Sequence, residues 1–164
     1  MSEAPLVTVL LPVRNAAPFL RQTLESLRDQ TYRRFTVLAI DDGSTDASLE
    51  ILRSFGDARV RIIARGRRGL VATLNEGLEL SETTYVARMD ADDRSLPQRF
   101  EKQIRAFNDN PALIMVGTRM TVIDAECSAL ASPAALESDS AIRRALHFPV
   151  TRSSKCARAA SMAW

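Results

Sequence analysis

The sequence predicts an α/β fold built on a mostly parallel sheet with helices packed against it. Three observations predict it. Short, apolar, β-branched runs alternate with stretches of helical periodicity. The connections between them are short, which calls for right-handed crossovers and a sheet covered on both faces. Two acidic clusters follow directly on strand-like runs, at the carboxyl edge where such sheets bind ligands.

The first run, Val7-Thr-Val-Leu-Leu-Pro-Val13, is almost wholly apolar, as a strand buried on both faces must be. Pro12 cannot donate to a ladder and marks the exit from the sheet. Pro18 suits the first turn of a helix whose Leu20, Leu24 and Leu27 form one stripe. Phe35-Thr-Val-Leu-Ala-Ile40 is the second strand and stops at Asp41-Asp-Gly-Ser-Thr-Asp46. Ser44 or Thr45 is placed to cap a helix carrying Leu49, Leu52 and Phe55, with Gly56 as its stop. Val60-Arg-Ile-Ile-Ala64 is the third strand, and Gly69 to Leu80 a helix expected to bury Leu70, Leu74 and Leu78. Tyr85-Val-Ala-Arg-Met89 is the fourth strand and runs into Asp90-Ala-Asp-Asp93. Pro97 opens a helix with Phe100, Ile104 and Phe107 inward, Pro111 ends the loop behind it, and Leu113-Ile-Met-Val-Gly117 is the fifth strand. Beyond residue 125 the pattern fades. Ala125 to Pro133 reads as a loop, Asp139 to Leu146 as a helix, and Thr151 to Trp164 as a frayed end.

Composition narrows the chemistry. The 164 residues are 46% hydrophobic and 26% charged, an ordinary globular balance with one domain as the prior. A net charge of +2 is too near neutrality to demand nucleic acid as a partner. Cys127 and Cys156 are the only cysteines and His147 the only histidine, which disfavours disulfide scaffolds, zinc ribbons, multi-histidine metal sites and a Ser-His-Asp triad. No secretory leader and no membrane-length apolar run is evident, so a cytoplasmic protein is the expectation.

The strongest chemical signal is Asp90-Ala-Asp92-Asp93. On extended chain, residues i and i+2 point to the same side, so Asp90 and Asp92 can converge while Asp93 points away. Converging carboxylates repel unless a cation lies between them, and hard oxygen ligands select Mg²⁺ or Mn²⁺. Such an ion keeps open positions that substrate phosphates fill. The plainer reading is an acidic loop before a helix; its place straight after a buried strand favours the metal. In the second cluster, a carboxylate can accept the N3–H of a uracil or a related base edge, although helix capping alone explains its residue types. Arg65, Arg67 or Arg68 can meet a diphosphate through a forked guanidinium, or pair with Glu76 or Glu79. Asn75 and Trp164 are weaker ligand candidates.

In order, Val9-Leu-Leu-Pro-Val-Arg-Asn15, Leu27-Arg-Asp-Gln-Thr31, Ile40-Asp-Asp-Gly-Ser-Thr-Asp46, Gly69-Leu-Val-Ala-Thr-Leu-Asn-Glu-Gly77, Tyr85-Val-Ala-Arg-Met-Asp-Ala-Asp-Asp93, Leu96-Pro-Gln-Arg-Phe-Glu-Lys-Gln103 and Met115-Val-Gly-Thr118 resemble the inverting family 2 glycosyltransferases with a GT-A fold. The resemblance covers about residues 6–124. It implies a Rossmann-like GT-A sheet and transfer of a sugar from a nucleotide-diphosphate sugar to an acceptor hydroxyl. By position, Pro12 and Arg14 would flank the base, Asp42 would bind it, Asp90 would sit near the ribose and metal, and Asp92 would be the principal ligand of Mn²⁺ or Mg²⁺. Cell-surface polysaccharide synthesis is the setting implied by analogy.

Two departures stand out. Leu74 occupies a position where the family often has an arginine, so a phosphate contact is missing or supplied by Arg67 or Arg68. The family's general base, which takes the proton from the attacking hydroxyl, is an Asp or Glu of the later, acceptor-binding half, and no acidic residue follows Phe148. The catalytic base is therefore unassigned. Residues 1–124 read as the nucleotide-sugar-binding half, and 125–164 as an incomplete or degenerate start of the acceptor half, ended by truncation or a shifted frame. The alternative to an active enzyme is a catalytically incomplete nucleotide-sugar-binding fragment. A receiver-like phosphorylation domain is disfavoured, because Lys102 and Lys155 are the only lysines and neither ends a convincing strand. The sugar or lipid-linked acceptor, and docking at the inner face of the membrane, stay open. A half-domain would also leave apolar helix backs uncovered, so self-association is expected. Size-exclusion chromatography checks it: oligomers support the expectation, and a sharp monomer peak with a cooperative melt contradicts it.

Overall fold

The structure, a computed structural model, describes residues 4–118, 121–123, 129–131 and 158–160. In chain order it contains β1 (Val7–Val13), α1 (Ala17–Arg28), β2 (Phe35–Asp42), α2 (Ser48–Ser54), β3 (Val60–Arg65) and α3 (Leu70–Glu79). Next come β4 (Tyr85–Arg88), α4 (Arg99–Asp109), β5 (Met115–Val116), β6 (Val122–Ile123), β7 (Ala129–Ala131) and β8 (Arg158–Ala160). Six of the strands form one sheet in the order β3-β2-β1-β4-β8-β5, and every neighbouring pair is parallel. The chain winds outward from β1 through β2 to β3, then crosses back to lay β4 on the other side of β1. Strand order thus reverses between β1 and β4, and the diverging connections there open a crevice at the strand carboxyl ends.

The alternation of strand side chains explains the layers. Val7, Val9, Leu11 and Val13 leave β1 on one side and pack with Leu20, Leu24 and Leu27 of α1, Leu52 of α2, and Phe100, Ile104 and Phe107 of α4. Phe35 meets Phe100 edge-on with centroids 5.3 Å apart, and Tyr85 stacks on Phe107 at 4.8 Å. The opposite side carries a smaller cluster of Leu10, Leu38, Ile40 and Val86.

That smaller cluster corrects the expected stripe of α3. Leu70 and Leu78 are about half exposed, whereas Thr73 and Gly77 are the buried positions. The reason is close approach: a Cβ at Gly77 would stand 2.9 Å from Leu10 Cδ2 and 3.3 Å from Ile40 Cδ1. The helix lies on the sheet through its smallest residues, which rotates the leucines away from the strands.

The expected cap of α2 is corrected too. No side-chain cap bond closes that helix, whose N-cap is Ala47. The loop serves α1 instead. Ser48 Oγ accepts the Ala16 N–H at 2.8 Å and Asp46 Oδ2 the Ala17 N–H at 3.0 Å, while Ser44 Oγ accepts from Asn15. A helix entered through Pro18 has unsatisfied first-turn donors, and the neighbouring loop supplies the acceptors. Asp46 also accepts the Ser48 N–H at 3.0 Å; hydrogen bonding from the Ser48 hydroxyl first, then from the Ala17 and Ser48 amides, outweighs desolvation and holds its carboxyl below the usual range.

Later in the chain, β7 falls inside the stretch read as a loop and pairs antiparallel with β6. Within the stretch read as a frayed end, residues 158–160 form β8, parallel to both β4 and β5. Parallel pairing supplies partners for backbone groups that a short, weakly patterned segment does not advertise. The expected fifth strand is shorter than its apolar run. The helix expected over Asp139–Leu146, together with His147, Lys155 and Trp164, lies outside the described residues. Among the described residues, no helix is long and apolar enough to cross a membrane.

Replacing Gly77 by Leu should lower stability by about 1–3 kcal/mol through overpacking, whereas Leu78→Gln should stay within about 0.5 kcal/mol. Urea denaturation of both variants checks the assignment; equal losses would contradict it.

Candidate functional site

The crevice at the carboxyl edge is a cavity of ≈ 410 Å³. Pro12 and Arg14 reach it from the end of β1, and Asp42 from the end of β2. Arg67 and Gly69 come from the β3–α3 connection, Thr73 from α3, and Asp90, Ala91 and Asp92 from the segment after β4. Pro12, Arg14, Asp42, Asp90 and Asp92, singled out in the sequence, therefore line a common space. Asp93 does not line it, in keeping with the alternation argument.

Asp42 is buried, and its carboxylate is already at work. Oδ1 accepts from Arg65 Nη1 at 2.6 Å and from the Arg68 N–H at 2.7 Å, and Oδ2 accepts from the Gly69 N–H at 2.8 Å. Burial pushes this carboxyl up, but the Arg68 and Gly69 amides and the Arg65 cation outweigh it and hold the group below the ordinary carboxylate value. A carboxylate offers about four lone-pair sites, so one direction remains for a ligand. Arg65 extends the network: Nη2 donates to Thr73 Oγ1 at 2.8 Å, and Nε stands 2.8 Å from Glu76 Oε2. Gly43, at φ 72°, completes the corner; a Cβ there would lie 2.9 Å from the backbone nitrogen of Arg67. Only glycine lets the β3–α3 connection close over the end of β2.

These partners of Asp42 were not singled out as such in the sequence, yet a signal existed. In parallel register Asp42 stands directly opposite Arg65, and both end their strands. Arg65 is taken up by Asp42 and Glu76 and Arg68 is largely exposed with Nη1 3.8 Å from Glu76, so of the three arginines considered for the diphosphate only Arg67 reaches the cavity. Arg59 is held by Asp57 at 2.6 Å, and Asn75 is exposed outside the cavity.

The acidic segment is tied down from α1. Thr23 Oγ1 lies 2.9 Å from the carbonyl oxygens of both Ala91 and Asp93. Ser26 Oγ accepts the Ser95 N–H at 3.0 Å, and the buried Gln30 amide donates to Ser95 Oγ at 3.0 Å and to the Leu96 carbonyl at 2.8 Å. Thr23 and Gln30 stand seven residues apart beside the leucine stripe. Two polar residues at core spacing were the readable sign that this face meets backbone as well as side chains.

At the segment itself, Arg88 Nη2 stands 2.9 Å from Asp90 Oδ1 and 3.1 Å from Oδ2. Asp92 is exposed toward the cavity. Asp93 is half-buried, and desolvation, then Asp90 and Asp92, push its carboxyl above the ordinary value. Arg99 is lowered to about 10 by burial, with Asp93 opposing that shift. Among the described residues, no group of three or more His, Cys, Asp or Glu side chains could hold a metal. Asp90 and Asp92 both line the cavity, and one or two carboxylates together with substrate phosphates and water are a donor set of the kind that Mg²⁺ and Mn²⁺ take.

Comparison with known proteins agrees with this layout. The family model described as "Glycosyl transferase family 2" matches residues 8–129. An uncharacterized glycosyltransferase of Haemophilus influenzae is 33% identical over 136 residues, covering 80% of this chain and 42% of the relative. Among solved structures, Staphylococcus aureus TarS 1–349 in complex with UDP-GlcNAc superposes with a TM-score of 0.66 at 21% identity, over 71% of this chain and 35% of that one. The mannosyltransferase PcManGT of Pyrobaculum calidifontis, in complex with GDP-Man and Mn²⁺, superposes with a TM-score of 0.60 at 24% identity, over 66% of this chain and 34% of that one. The chain spans less than half the length of the first curated relatives it matches.

Asp42→Asn should cost about 1–3 kcal/mol at neutral pH, because Arg65 is left facing an amide. A lowered carboxyl stabilises the fold above its unfolded pKa, and that contribution disappears as pH falls through the lowered value. Urea melts over a pH series should therefore show the gap between wild type and variant closing below roughly pH 4; a constant gap would refute the ionic role.

Proposed function

The chain belongs to glycosyl transferase family 2, and on that premise we propose that its cavity binds a nucleotide-diphosphate sugar whose sugar passes to an acceptor hydroxyl, in cell-surface polysaccharide synthesis. The observation that carries this reading is the convergence of Pro12, Arg14, Asp42, Asp90 and Asp92, from three strand ends, on a cavity at the strand-order reversal. The TarS complexes hold UDP-GlcNAc and UDP, and the PcManGT complex GDP-Man with Mn²⁺. These support a nucleotide-sugar donor and a divalent ion here.

In this reading Pro12 and Arg14 flank the base, and Asp42 accepts a base N–H on its remaining lone pair. The Arg14 guanidinium is held by the Asp42 carbonyl at 3.0 Å, so the wall and the acceptor move together. Arg67 is the cavity cation nearest in sequence to the start of α3, placed to meet the diphosphate. Asp90 sits by the ribose, and Asp92 with Asp90 would hold Mn²⁺ or Mg²⁺. That ion would supply charge neutralisation at the diphosphate leaving group. Thr23, Ser26 and Gln30 hold the acidic segment to α1 so that its carboxylates arrive preorganised. Removing the acceptor proton needs a base, and this reading assigns that role to no residue of residues 1–164.

A thermal-shift experiment tests the proposal. UDP, GDP or dTDP with Mn²⁺, at about a hundred times its dissociation constant, should stabilise the chain by about 2.7 kcal/mol, or roughly 5–10 °C in Tm. Asp92→Asn should abolish the Mn²⁺-dependent part. The absence of any shift with all three nucleotides would overturn the reading.

A further inference from the structure

Asp90, Asp92 and Asp93 crowd three carboxylates into four residues, yet one of them is already neutralised. Arg88 ends β4 and stands two residues before Asp90, and its Nη2 lies within 3.1 Å of both Asp90 oxygens. The Asp90 side chain is 37% exposed and that of Arg88 only 19%. The cation therefore sits on the protein side of the carboxylate, where solvent screens it less. Its backbone is pinned as well: the buried Arg99 donates Nη2 to the Arg88 carbonyl at 3.0 Å, and Met89 N–H continues the ladder to Leu10 at 3.0 Å. Asp92 faces the cavity from the other end of the same three-residue span.

We propose that Arg88 is a positioning residue that latches Asp90, so that a divalent ion on its own meets Asp92 alone and binds firmly only together with a diphosphate. The inference rests on the reading of Asp90 and Asp92 as the ion-holding pair. Its physics is charge balance. Of the two carboxylates that line the cavity, Asp90 is charge-paired with Arg88, so the segment offers a free ion Asp92 and a nearby repelling cation. A diphosphate brings its own oxygens and negative charge, satisfies the ion's remaining positions, and makes the second carboxylate dispensable until the complex is seated. The ion and the nucleotide then enter as one ligand rather than in sequence.

The test is a Mn²⁺ titration of the full chain followed by electron paramagnetic resonance, without nucleotide and then with UDP. Without nucleotide, Arg88→Met should bind Mn²⁺ at least about fivefold more tightly than wild type, the order expected for removing one near-surface repulsion. Arg88→Lys, which keeps the charge, should stay near wild type. With UDP present, the difference between wild type and Arg88→Met should shrink. In otherwise unchanged protein without nucleotide, Asp92→Asn should remove Mn²⁺ binding, while Asp90→Asn should alter it less than about twofold. Equal Mn²⁺ affinity of Arg88→Met and wild type, or equal losses in the two aspartate variants, would overturn the latch. If Arg88→Met loses its circular-dichroism signature of folding, the aspartate pair decides. A wild type that fails to bind Mn²⁺ even with UDP would instead overturn the metal reading beneath it.

Discussion

A carboxylate withdrawn from water must find donors, and the way Asp42 finds them organises the edge of this protein that faces the cavity. The end of β2 is buried, so its negative charge draws in the Arg65 guanidinium from the neighbouring strand and two backbone amides from the loop that follows it. That single demand bends the chain after β3 back over the sheet, sets Gly69 at the start of α3, and brings Thr73 and Glu76 onto the same arginine. Gly43 is the clearance that lets the loop lie so close. Because the same carboxylate borders the cavity, the tie that stabilises the fold also fixes one wall of the site.

The opposite wall is organised by a different economy of hydrogen bonds. The acidic segment after β4 has no regular structure of its own, and its backbone groups are met by side chains of α1 and of Gln30 just beyond its end. Thr23, Ser26 and Gln30 use the helix as a rigid frame on which irregular chain can be held in a defined shape. The first turn of α1 is in turn completed by Asp46 from the loop after β2 and by Ser48 at the start of α2. One helix thus couples both acidic clusters, which explains how residues some fifty positions apart in sequence share one cavity.

Membership of glycosyl transferase family 2 and likeness to solved GT-A structures agree with this geometry, and they extend over the part of the chain that forms the strands around the crevice. The matched relatives are more than twice as long as the shared region. In the proposed reading, the groups around the crevice serve the donor side of the chemistry, with Pro12 and Arg14 beside the base, Asp90 and Asp92 toward the ion and Arg67 toward the diphosphate.

The first five strands and their order along the chain were legible in the sequence, because alternation, apolar runs and turn residues are local signals. Val7–Val13 reads as a buried strand, and Phe100, Ile104 and Phe107 as a core stripe, without knowledge of any partner. The acidic clusters at strand ends were legible for the same reason. Tertiary structure alone decided which side of α3 meets the sheet, since the close approach of Gly77 to Leu10 outweighs three leucines in register. It also decided that Ser44, Asp46 and Ser48 accept N–H groups at the start of α1, that Arg65 belongs to Asp42 and Arg88 to Asp90, and that residues 158–160 enter the sheet beside β4. A period along the chain tells a residue which face it shares; what waits on the other side of that face is set by chain that is distant in sequence.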